Sequence, residues 1–263
     1  KVLIAIILSI ITAIIIFGGI KRIAKVSEII VPIMAGAYIL IALFIMLTNI
    51  TEIPGVFILI FESAFGLKEA AGGALGAAMM NGIKRGLFSN EAGMGSSPNA
   101  AATADVSHPV KQGLIQALGV FVDTIIICSS TAFIILLSGL YTSQESDGII
   151  LTQQALETSI GSWAGIFLAF IVLMFAFSSI VGNYYYGESN IEFINQKKIY
   201  LIIYRIAAVF MVAFGSLASL NFVWSLADMF MGLMAIINLI AISILGKIAF
   251  SALNDYTKQK ANG

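Results

Sequence analysis

Long apolar runs separated by short polar breaks set the pattern of the chain, at roughly 2–17, 29–47, 113–140, 163–186, 199–220 and 222–250. They are rich in Ile, Leu, Phe and Ala and show no polar–apolar alternation, so they predict helices and not barrel strands. Several approach or exceed the ~20 residues that cross a hydrocarbon core, where a helix satisfies every backbone group within its own segment. The region 54–83 differs. "PGVFILIFESAFG" is apolar but too short to span at ~1.5 Å per residue, and "KEAAGGALGAAMMNGIK" after it is rich in small residues. Together they predict one spanning element broken near Gly72, Gly73 and Gly76. Two readings stay open there: a binding-site break in a transporter helix, or close helix packing through small residues.

Composition fits this class. Of 263 residues, 59% are hydrophobic and 11% charged, against about 45–50% and about 25% in a soluble domain; mean hydropathy is +1.00. The expectation is an all-α, polytopic membrane helix bundle of about seven spans, forming a single transporter domain over 1–263. The lone Cys128 lies in an apolar run and has no internal disulfide partner. The first residue is Lys1, and an N-terminally truncated piece of a longer protein is expected. Twelve of the 14 Lys and Arg residues fall in the loops around Lys21, Lys84–Lys111, Lys197–Arg205 and Lys247–Lys260. These share one side if the chain crosses seven times with the broken element crossing once. The positive-inside rule makes that side cytoplasmic, so the tail 251–263 is expected there. The basic residues read as topogenic charge, with no aromatic interleaving to read nucleic acid. In the opposite loop, "TQQALETSIG" has helical propensity and reads as an ordinary connecting helix or a short surface helix over the outer mouth.

Polar groups at membrane depth are functional candidates by default. Asp123 lies within the 113–140 run, shortly before "CSST" (128–131). It suits either a cation or ammonium ligand or a buried aspartate bonded to a neighbouring helix. Asp228 reads as a gate or packing contact, and Arg205 as a side chain snorkelling to the cytoplasmic surface. Ser178 and Ser179 are adjacent hydroxyls of the kind that ligate a hard cation, or that merely bond back one turn. "GMGSSP" is no dinucleotide fingerprint, no P-loop motif is present, and His108 is the only histidine, so enzymatic chemistry is not expected.

The string "GIKRGLFSNEAGMGSSPNAAATADVSHPVKQGL" (82–114) closely resembles the alanine or glycine:cation symporter family, the sodium:alanine symporters. "GVFVDT" (119–124), "NYYYGE" (183–188), "FGGIKRIAKVSEIIVP" (17–32), "AAGG" (70–73) and "GLMAIINLIA" (232–241) resemble it too. The resemblance implies a LeuT-type inverted-repeat fold of which this chain holds core helices four to ten, with 54–90 as broken helix six. It implies sodium-coupled symport (protons being the alternative) of small neutral amino acids such as alanine or glycine, through a multi-pass protein of the cell membrane. Gly72, Gly73, Gly76, Met80 and Asn81 are then expected in the amino-acid pocket, with Met80 limiting its size. Ser178 and Ser179 are expected at a sodium site. Ser89, Asn90 and Glu91 are expected at an inner gate, with Gly93 and Gly95 turning the backbone, and Asp123 is expected in a gate or other supporting role. Asn183 departs from the tryptophan common in the family, which bears on the substrate size accepted. No residue pattern speaks to oligomeric state.

Overall fold

The computed structural model describes residues 2–65, 72–142 and 148–262, and among them every regular element is helical. In chain order these are α1 Val2–Ile16, α2 Ile20–Thr48, α3 Ile53–Ala64, α4 Gly72–Asn90, α5 Ser96–Ala101 and α6 Pro109–Phe121. A π-helical segment, Val122–Cys128, joins α6 to α7, Ser129–Ser138. Then come α8 Gly148–Ile160, α9 Trp163–Ile194, α10 Lys198–Leu217 and α11 Leu220–Asn262.

Among the described residues, five helical stretches are long and apolar enough to cross a membrane: Lys25–Thr48, Pro109–Ser138, Trp163–Ile194, Lys198–Leu217 and Leu220–Ala261. Val2–Ile16 and Ile53–Ala64 are shorter apolar helices. Large apolar side chains face outward along them, Ile166 at 80% exposure and Ile244 at 72% among them. A surface this apolar suits lipid and not water.

Helix α3 ends at Ala64, where the backbone N–H of Phe65 bonds the Phe61 carbonyl, and 72–90 is helix. Gly72, Gly73 and Gly76 are therefore helical; tertiary context overrides the weak propensity of glycine. Lys68, Glu69 and the first half of "AAGG" lie outside the described residues. The final helix also runs past the apolar segment ending near 250, so 251–262 continues as helix.

The packing resolves two compact units. One comprises Ile29–Ser89 and Phe121–Ala176, the other Lys1–Glu28, Asn90–Val120 and Phe177–Gly263. In the first, Met34, Tyr38, Ala42 and Ile45 form a buried stripe on α2 at the helical spacing. They pack with Ile134 of α7, Ala155 and Leu156 of α8, and Ala164, Leu168 and Ile171 of α9. The helix expected at "TQQALETSIG" is thus α8, and its Ala155 and Leu156 are core. Tyr38 carries its hydroxyl into this core, within 2.7 Å of Thr131 Oγ1. In the second unit α1 packs on α10, burying Ala5, Thr12 and Ile16 along one face of α1.

Candidate functional site

Within the first unit, the last turn of α4 meets the π-helical segment. Ser89 Oγ donates to Asp123 Oδ2 at 2.8 Å and lies 3.4 Å from Cys128 Sγ; Cys128 Sγ is itself 3.9 Å from the same carboxylate oxygen. Asp123 and Cys128 are five residues apart. A π turn, closed by i→i+5 bonds, brings such a pair to one side of the helix, and π-bulges are found mostly at functional sites. The result is a half-buried carboxylate held by a hydroxyl and a thiol from two helices. Ser89 and Asp123, both selected from the sequence, are therefore in direct contact. Gly72, Gly73, Gly76 and Met80 fall at the spacing of one helical stripe on α4. Met80 is 57% exposed and Asn81 is exposed as well.

Within the second unit, the exit from α4 is built from left-handed backbone. Glu91 has φ 54°, Gly93 80° and Gly95 91°. A non-glycine residue in that region is uncommon and held only by its surroundings. Those surroundings are amide side chains. Asn90 Oδ1 accepts from the Ala92 N–H at 2.9 Å, and Asn238 Nδ2 of α11 donates to the Gly93 carbonyl at 2.9 Å. Asn99 Nδ2 donates to the Gly95 carbonyl at 3.1 Å, and Asn190 Nδ2 of α9 donates to Asn99 Oδ1 at 3.0 Å. A Cβ on Gly95 would sit 3.2 Å from Asn238 Cβ, so glycine is required there by space as well as by φ.

Ser178 is half-buried and Ser179 exposed on α9. Consecutive helical residues do not share a face, and Asn183 Nδ2 already donates to the Ser179 carbonyl at 2.9 Å.

Arg205 does not snorkel as its sequence position implied. Its Nη2 donates to Glu188 Oε1 at 2.8 Å and its Nε to the Tyr184 hydroxyl at 3.1 Å, while the guanidinium lies 5.6 Å from the Phe17 ring centroid. The pair is secluded, with side chains 16% and 7% exposed. Tyr204 stacks on Tyr184 at 5.3 Å and donates to its carbonyl. Gly187 makes this approach feasible, since a Cβ there would run into the Tyr204 hydroxyl. In the sequence Glu188 stands only as the last residue of "NYYYGE". Its signal was an antiparallel match: Glu188 precedes, and Arg205 follows, the short turn between α9 and α10. Asn238, alone among apolar neighbours in "AIINLIA", was a second available signal.

These features define a multi-pass helical membrane protein with polar clusters held between its helices. The family model for the sodium:alanine symporter family matches residues 1–263. The chain is 57% identical over 263 residues to the amino-acid carrier protein AlsT of Bacillus subtilis, covering 100% of this chain and 56% of that protein. It is 59% identical over 249 residues to the probable sodium/glutamine symporter GlnT of the same organism, covering 95% and 52%. It is 41% identical over 262 residues to the sodium/alanine symporter AgcS of Methanococcus maripaludis, covering 97% and 57%. The chain belongs to the sodium:alanine symporter family. It spans about half the length of the curated relatives it matches.

Proposed function

We propose that the protein containing this chain is a secondary active transporter. It carries a small neutral amino acid such as alanine or glycine into the cell together with sodium. The observation that carries this reading is the match of the whole chain to symporters and amino-acid carriers of one family. The end of apolar helix α3 at Ala64, after only 12 residues, supports it, because discontinuous helices at membrane depth are where transporters build substrate and ion sites. On this reading α4 supplies part of the amino-acid pocket through its Gly72–Gly76–Met80 stripe, and Ser178 and Ser179 ligate sodium. Ser89, Asn90, Glu91 and Asp123 serve at the inner gate. Each positive charge carried inward releases ~2.3 kcal/mol per 100 mV of membrane potential. Coupling requires that sodium and amino acid raise each other's affinity, and alternating access then exposes both to the cytoplasm.

The test is uptake of radiolabelled alanine by proteoliposomes of the full-length protein. Uptake should require sodium outside and collapse when choline replaces it; unchanged uptake in choline defeats sodium coupling and leaves protons. Unlabelled glycine and glutamine as competitors decide the substrate range, which the glutamine-named relative makes a real question. Ser179→Ala should raise the sodium concentration for half-maximal uptake without altering substrate preference. Identical sodium activation in variant and wild type removes Ser179 from the ion site.

A further inference from the structure

The start of α6 and the last third of α11 enclose a seam with two chemically distinct halves. At one end Ser107, His108, Lys111, Tyr256, Gln259 and Lys260 wall a cavity of about 320 Å³. Next along the same two walls, Val110, Gly113, Leu114, Ala249, Ala252 and Leu253 border a second cavity of about 350 Å³, which is apolar. The order is the same on both walls. Moving from 107–111 to 110–114 on α6, and from 256–260 to 249–253 on α11, leads from basic to apolar and deeper into the membrane-length helices Pro109–Ser138 and Leu220–Ala261.

The basic end is assembled with care. His108 Nε2 lies 3.4 Å from Asp255 Oδ2 and its ring 5.1 Å from that of Tyr256, which ties the two walls together. Asp255 Oδ2 also accepts from Gln259 Nε2 at 2.9 Å. Lys111 Nζ donates to the Ser107 hydroxyl at 2.7 Å. Two lysines against one carboxylate leave a single net positive charge when His108 is neutral. The apolar end is lined by Gly113, Ala249 and Ala252, whose small side chains leave the groove open between the helices.

We infer that this seam binds one anionic phospholipid, its phosphate between Lys111 and Lys260 and an acyl chain along Gly113, Ala249 and Ala252. Basic pockets between membrane helices at the cytoplasmic side are suited to acidic head groups, and the attached apolar groove separates a lipid from a free phosphate. The inference rests on membrane embedding and not on the transport reading. It is tested with the full-length protein in neutral detergent, by native mass spectrometry during titration with phosphatidylglycerol, phosphatidylcholine or soluble glycerol phosphate. Phosphatidylglycerol should bind at least about tenfold more tightly than phosphatidylcholine. Lys111→Gln with Lys260→Gln should weaken it about thirtyfold, at the usual contribution per basic residue, while the Lys→Arg pair retains binding and shows that the fold is kept. Ala252→Trp, which fills the groove, should weaken both lipids. Equal binding of the two lipids, or undiminished phosphatidylglycerol binding in the Lys→Gln pair, overturns the inference. Glycerol phosphate binding as tightly as phosphatidylglycerol, with Ala252→Trp silent, overturns the lipid and leaves a phosphate site.

Discussion

Glu188 and Arg205 lose more when separated than when removed together. Glu188 is buried and Arg205 half-buried, 2.8 Å apart, and deleting one partner leaves the other charge uncompensated, at up to about 3–5 kcal/mol. Glu188→Ala should therefore lower the melting temperature of the solubilised full-length protein sharply. Glu188→Met with Arg205→Met should recover more than half of the loss; equal damage in single and double variants would mean that the pair is not what stabilises this site. Two glycines in the α4 exit make a second, graded test. Gly93 and Gly95 share left-handed φ values, but only Gly95 has Asn238 against its missing side chain. The φ penalty for alanine is ~1–2 kcal/mol, so Gly95→Ala should destabilise more than Gly93→Ala, and equal thermal shifts would deny Asn238 any part. Neither test was visible in the residues alone. The glycines as turn formers were legible, because only backbone freedom explains two so close together after a helix. The ion pair was not, since it joins two helices whose facing rotation no single-helix pattern fixes.

At the scale of the element, the π-helical segment is what makes a site of Asp123. In a regular α-helix Cys128 would rotate away from it, and Ser89 would meet a lone carboxylate. Asp123→Asn keeps the volume and loses the charge. A hydrogen bond to a charged group is worth ~1.5–3 kcal/mol, so uptake at fixed sodium should fall by about tenfold or more. Wild-type uptake in that variant would strip the segment of a functional role. The sequence announced Ser89 and Asp123 separately, from a family-like string and from an acid at membrane depth. It did not announce their contact, because an α register was assumed across 113–140. The end of an apolar helix at Ala64, too short to span, was likewise legible from run length. Glycine-rich sequence pointed to a break at Gly72–Gly76, whereas those residues are recruited into α4.

At the scale of the whole molecule, apolar run lengths carried the helical class directly, since lipid leaves so few alternatives. Orientation rests on the distribution of lysine and arginine. A green fluorescent reporter fused after Asn262 should fluoresce in cells, and alkaline phosphatase at the same point should be inactive. The reverse pair of results would invert the positive-inside assignment. What run lengths do not carry is how packing divides the chain. The two compact units divide within α9, between Ala176 and Phe177, where hydrophobicity is continuous.

Helix α11 has 43 residues without interruption, which is about 65 Å of rod, against a hydrocarbon core of about 30 Å. Its last turns must reach past the hydrocarbon core into the head-group layer and beyond. Such a rod is a lever: a tilt of about ten degrees at the embedded end sweeps the tip through about ten ångströms. A spin label or fluorophore on Gln259 would thus magnify motions that, at the depth of Asn238, amount to little more than a change of side-chain contact.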